Sequence, residues 1–259
     1  MQTTSRPAAL SEQASKRPLI TWEPLPEDYL LPDDPVDNIV QPLLAAILRE
    51  ILELAGLVAP ECLIATNFGI CATVEEKTVV KAPDWVYVPK VTSLPDNKTR
   101  RSYTPNLEGD PVEIVMEFIS ETEGGEYSVD PNYPYGKWWF YERILQVPGY
   151  FIFRSEEGRL EGYKLAKERY EPQDKSERGR YWVEAFELFL GVWQGTRANH
   201  TGYWLRWWDA DGNLLPWGTE KVAEVALQVE QERERAEQEK ARADRLAEKL
   251  RSLGVEPPN

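Results

Sequence analysis

The stretch PVEIVMEFIS, residues 111–120, sets a carboxylate at Glu117 among Val115, Met116, Phe118 and Ile119. Its neighbours predict a buried β-strand, where an unpaired carboxylate costs several kcal/mol or takes up a proton. Glu117 therefore needs a partner, and two other segments offer one. APDWVYVP places Asp84 after Pro83 at the start of a strand, where alternation sets Asp84, Val86 and Val88 on one face. Proline donates no ladder hydrogen bond, so Pro83 marks a strand start or a bulge, a place where a side chain is readily re-aimed. Lys137 falls in the first turn of a helix predicted over 135–147, with Tyr141 one turn along. A helix start returning over the strand ends brings Lys137 near both carboxylates.

Two carboxylates on adjacent strands make a hard-oxygen site for Mg²⁺ or Mn²⁺, cations that keep several waters for substrate phosphates. Such a cation polarises a phosphoryl oxygen and acidifies water, and a lysine beside it offsets charge on the pentavalent phosphate. Asp84, Glu117 and Lys137 thus suffice for metal-assisted phosphodiester cleavage. Plainer readings stand beside each: a turn carboxylate for Asp84, a structural ion pair for Glu117 with Lys137, core packing for Tyr141. Glu50 and Glu53 on the first predicted helix offer a further acidic group or simply a solvated face. His200 is the lone histidine, so histidine-based metal or triad chemistry is nearly excluded. DADG at 209–212 starts like a calcium loop but lacks the glutamate at position twelve, and reads as a hairpin turn. The ten tryptophans read as packing rather than base stacking.

The elements that must position these residues follow from hydrophobic spacing. Apolar residues recur at three and four over 36–56, predicting a helix stopped by Gly56. Strands are predicted at 62–68, 69–74, 78–89, 149–154 and 160–165, and a hairpin over YWLRWW–DADGN–LLPW. A charged helix is predicted from 218 to 252, with Val222, Val229, Ala236, Ala243 and Leu250 on one heptad position. Val225, Leu246 and Leu253 share the other, which Glu232 and Glu239 interrupt. Alternating helices and strands give an α/β fold with a mixed central sheet flanked by helices. The divisions are a disordered tail at 1–21, a globular domain at 22–217, the charged helix at 218–253 and a short tail at 254–259.

With 259 residues and 42% hydrophobic content the chain builds one sizeable core plus an appendage. The formal charge of −14 argues against a general nucleic-acid coat protein. It leaves room for an enzyme that meets nucleic acid only at a metal-bearing cleft. The segment 219–251 holds nine acidic and eight basic residues, so the rest carries thirteen of the fourteen negative charges. Cys62 and Cys71 match neither a metal knuckle nor a disulfide framework, no run of about eighteen apolar residues exists, and the N-terminus does not resemble a secretory signal. A cytoplasmic protein is expected.

APDWVYV, then VEIVMEFIS, then GKWWFYERILQVPGYFIF resembles the Uma-type restriction endonucleases, a bacterial family with the PD-(D/E)xK nuclease fold. The ordered pieces are Pro83-Asp84, Glu117 through Ser120, Lys137 with Tyr141, and Val147-Pro148-Gly149-Tyr150, and the resemblance covers about residues 22–253. It implies a restriction-endonuclease-like fold and a Mg²⁺- or Mn²⁺-dependent endonuclease acting on DNA, or else on RNA. Asp84 and Glu117 become metal ligands, Lys137 the residue that positions the attacking water, and Tyr141 and Glu50 possible supports. Three departures stand out. Ile119 occupies the usual lysine position, Glu121 replaces a proline, and the 121–134 loop has its own spacing. A homodimer is expected, with the C-terminal helix either its coiled coil or a solvated helix packed on its own domain. A rival reading keeps the fold as a catalytically silent scaffold acting as a dimerisation or interaction protein through that helix.

Overall fold

The computed structural model describes residues 38–74, 77–95, 98–119 and 125–253. The predicted N-terminal tail and the first residues of the predicted globular domain, 22–37, Ser120 and Glu121, and the tail from 254 lie outside the described residues. Helix α1 spans Val40–Leu54, and the Asn38 side-chain oxygen caps it by accepting the Val40 and Gln41 N–H groups at 2.9 and 3.1 Å. Gly56, at φ +72°, takes the left-handed conformation that follows its end.

Numbered along the chain, strands β1 (Leu63–Ala65), β4 (Trp85–Val88), β6 (Ile114–Ile119), β7 (Gly149–Arg154), β8 (Arg159–Ala166) and β9 (Arg169–Pro172) form the central sheet in that order. Only β6 and β7 run parallel, so the sheet is mixed. Strands β2 (Gly69–Val74), β3 (Lys77–Lys81) and β5 (Ser102–Tyr103) make a second sheet. The third holds β10 (Tyr181–Val183), β11 (Leu188–Arg197) and β12 (His200–Trp208). Alternation divides the central sheet between two cores. Trp85, Ile114, Met116, Phe118 and Phe151 pack with α1 and the third sheet. Val86, Val88, Val115, Ile119 and Ile152 pack with Ile70, Val79 and Tyr103 of the second sheet and with Phe140 and Tyr141. Glu117 shares the parity of Val115 and Ile119, so it points into the second core.

This is the expected α/β restriction-endonuclease-like arrangement, a mixed sheet flanked by helices with a long C-terminal helix. Several elements differ from their predicted form. The strand predicted over 78–89 breaks at Pro83 into β3 and β4, which join different sheets. The helix predicted over 135–147 is one α-helical turn, α2 (Lys137–Trp139), running into a π-helical turn over Phe140–Ile144. The hairpin predicted around DADGN is short: one antiparallel bridge, Trp208 with Leu214, and the Leu215 N–H donating to the Trp207 carbonyl at 2.9 Å. Strand β12 pairs back onto β11 through nine residue pairs, turning at Ala198 and Asn199, both at positive φ, as a tight two-residue hairpin requires. Asp209 closes its own turn by accepting the Asn213 N–H at 2.8 Å.

Helix α3 spans Gly218–Ser252, and its root is pinned. Trp217 is buried, the Arg206 guanidinium lies 3.8 Å from the Trp217 ring centroid, and Arg206 donates to Glu220 at 2.7 Å. No helix among the described residues is long and apolar enough to cross a membrane.

Candidate active site

The pairing of Trp85 with Met116, carried one residue further, sets Asp84 opposite Glu117. Residues so opposed share a sheet face, with Cβ atoms about 5 Å apart. The chemistry of Pro83 explains the local shape. With no N–H to donate, the chain leaves the ladder there, and the Asp84 carboxylate substitutes for backbone: its Oδ2 accepts the Phe118 N–H at 2.5 Å. On the carbonyl side of the same residue, Gln41 Nε2 donates to the Phe118 oxygen at 2.6 Å. The backbone directly after Glu117 is thereby held by two side chains.

Glu117 itself is fully buried. Lys137 Nζ donates to its Oε2 at 3.0 Å and the Tyr141 hydroxyl to its Oε1 at 2.8 Å. Lys137 reaches it because Gly136 brings α2 against Ser128 so closely that a Cβ on Gly136 would lie 2.1 Å from the Ser128 carbonyl oxygen. Lys137 and Tyr141, four residues apart, present both donors to one carboxylate. Lys137 also donates to Glu126 Oε1 at 3.3 Å. Glu126 is 6% exposed, and its Oε2 is buried with no hydrogen-bond partner among the described residues.

Burial pushes the Glu117 carboxyl up to about 8, and the Lys137 charge only partly offsets it, with Asp84 adding to the rise. Burial works against the Lys137 ammonium, yet Glu117, Glu126 and Asp84 outweigh it and hold that charge well above the ordinary lysine range. The carboxylates thus favour the charged form of Lys137. Tyr141 likewise keeps its proton, through burial first and the Glu117 carboxylate second. Lys81, at the end of β3, also faces this group: partial burial and the nearby Lys137 lower its pKa, against the pull of Glu117.

The structure therefore brings Asp84, Glu117, Lys137 and Tyr141 together. Glu50 lies elsewhere, its Oε2 3.6 Å from Arg197 at the root of α3. The predicted supporting role gives way because the face of α1 that carries Glu50 turns toward α3 and β11, on the first core's side of the sheet. Three residues escaped the sequence reading. Gln41 left a signal, since it falls on the Leu44–Leu48 stripe of α1, where a polar residue calls for a buried partner. Glu126 sits in an acid-rich loop, and Lys81 three residues before Asp84; neither stands out by spacing.

Hard carboxylate oxygens, two on one sheet face and a third buried without a partner, are the donor chemistry that Mg²⁺ or Mn²⁺ takes. Among the described residues no group of three or more His, Cys, Asp or Glu is placed to hold a metal ion. Mg²⁺ asks for less, being bound through one or two carboxylates with waters and phosphate oxygens completing its shell.

The Uma2 family model, described as putative restriction endonuclease, matches residues 31–194. No curated protein and no solved structure matches the chain.

Proposed function

The chain belongs to the Uma2 family of restriction-endonuclease-like nucleases, and on that premise we propose that it is a Mg²⁺- or Mn²⁺-dependent endonuclease that hydrolyses phosphodiester bonds of DNA. The observation that carries this reading is the meeting of two carboxylates where β4 faces β6: Asp84 accepts the Phe118 N–H beside Glu117, and the Lys137 ammonium lies 3.0 Å from Glu117. Asp84 and Glu117 would hold the cation, which when bound polarises a phosphoryl oxygen and acidifies water. Lys137, whose charged form the surrounding carboxylates favour, serves as a donor rather than a base. It donates hydrogen bonds to the attacking water and to phosphoryl oxygens as they gain charge. Tyr141 fixes the Glu117 carboxyl from the other side. The −14 charge repels a polyanion, so engagement of DNA depends on the cation and weakens with salt.

Asp84→Asn and Glu117→Gln test the reading directly. Each is expected to lower Mg²⁺-dependent plasmid nicking at least about a hundredfold, the scale of losing a group that acts in the transition state. Circular dichroism should show an intact fold. Parent-like cutting by both variants defeats the assignment. Ca²⁺ is expected to support DNA binding without turnover, because its looser coordination does not organise the attack.

Two observations favour the silent-scaffold reading: both Glu117 oxygens already accept hydrogen bonds, and Ile119 stands where the family's usual lysine would be. Calorimetry separates the two. Mn²⁺ binding lost in Asp84→Asn supports the nuclease, and no heat at millimolar metal supports the scaffold.

A further inference from the structure

Helix α3 is 35 residues long, about 52 Å at 1.5 Å per residue. From Lys221 to Leu246 every residue is exposed. Its seam residues Val222, Val225, Val229, Leu246 and Leu253 are between 45% and 70% exposed. Exposed β-branched residues weaken a lone helix, and most helices in proteins draw stability from a packed apolar face. The seam is therefore built for a partner.

Its flanks say what kind. On the heptad that puts Val222 and Val225 in the core, the two flanking positions carry Lys221, Arg233, Arg235, Lys240, Arg242 and Lys249, and no acid. The far side carries Glu224, Glu230, Glu234, Glu237, Asp244 and Glu248. Lys221 and Arg233 are tied back to that far side, at 2.9 Å to Glu224 and 3.4 Å to Glu237. Among the described residues Arg235, Lys240, Arg242 and Lys249 make no ion pair. Flanking charges of a coiled coil choose its partner. In a parallel pair of identical helices Arg235 would meet Lys240. In an antiparallel pair each basic flank would meet itself. Either register also brings Glu232 and Glu239 into the seam.

We propose that α3 is one half of a heterotypic coiled coil whose partner is an acidic amphipathic helix. That helix carries Glu or Asp along both flanks of its seam and basic residues in the core layers facing Glu232 and Glu239. The seam then closes with opposite charges along its full length, and a second copy of this chain is disfavoured. The contact is independent of the catalytic reading, because every residue it uses lies beyond the family match and away from Glu117.

The test uses the full chain and two synthetic 35-residue helices with Val and Leu seams and Lys opposite Glu232 and Glu239, one with Glu flanks and one with Lys flanks. In sedimentation the chain alone is expected to be a monomer at micromolar concentration. The Glu-flanked peptide should form a one-to-one complex that weakens with salt, and the Lys-flanked peptide none. Arg235→Glu with Arg242→Glu should weaken that complex about tenfold or more, while melting of the body is unchanged. The proposal falls if the chain alone dimerises and loss of 221–253 makes it monomeric. It falls equally if the Glu-flanked peptide fails to bind, or if the two peptides bind alike.

Discussion

Glu117 is a carboxyl that the fold holds in reserve. It accepts from Lys137 and Tyr141, and burial raises it to about 8. The unfolded chain releases that proton near the ordinary glutamate value of 4.5, so between these values the native state retains a proton the unfolded state has lost. Its contribution to stability is full below pH 4.5 and disappears as pH climbs through about 8. Denaturant melts in EDTA across this window should fall with pH, and Glu117→Gln should flatten the fall; an unchanged slope would show that Glu117 does not titrate there. The two donors are coupled through the same carboxyl. Lys137→Met and Tyr141→Phe should each destabilise by about 1–3 kcal/mol. In a Glu117→Gln background each should do markedly less, which a double-mutant cycle would read. Additive losses would mean that the contacts are incidental.

At the scale of elements, the site depends on two interruptions. Pro83 ends β4 so that Asp84 can cap Phe118, and Gly136 lets α2 press on Ser128 so that Lys137 reaches Glu117. Gly136→Ala should cost about 1–3 kcal/mol, as forced overpacking does, with a matching drop in melting temperature; a neutral result would mean that the loop moves aside freely. Strand parity made Asp84 and Glu117 legible in the sequence, because period-two alternation depends only on local spacing. Lys137 and Tyr141 were legible through their helical spacing. The π-helical turn after Trp139 was not, since a hydrophobic pattern carries no sign of one extra residue per turn. The pairing of β12 with β11 was hidden for a related reason. Its turn is Ala198-Asn199 rather than a glycine pair, while the glycine-bearing DADGN closes only the short bridge of Trp208 with Leu214. Gln41 and Glu126 became visible only when long-range packing placed them beside Phe118 and Lys137.

At the scale of the whole molecule, an acidic body and a charge-segregated helix divide the work. The body's negative charge opposes the approach of a polyanion. Helix α3 contributes no buried side chain beyond its root, where Arg206, Trp217 and Glu220 lock together. Removal of residues 222–259 should therefore leave the melting temperature of the body within a few degrees of the parent. Arg206→Ala should lower it further than that, by stranding the ring of Trp217 and the Glu220 carboxylate. Equal losses would mean that the helix shaft itself supports the body. The most direct test of the central claim is an anomalous difference map from a Mn²⁺-soaked crystal of the full chain. The predicted result is a peak bridging the carboxylates of Asp84 and Glu117, with Lys137 beside it. A map with no peak there, and Glu117 still closed by Lys137 and Tyr141, would contradict it.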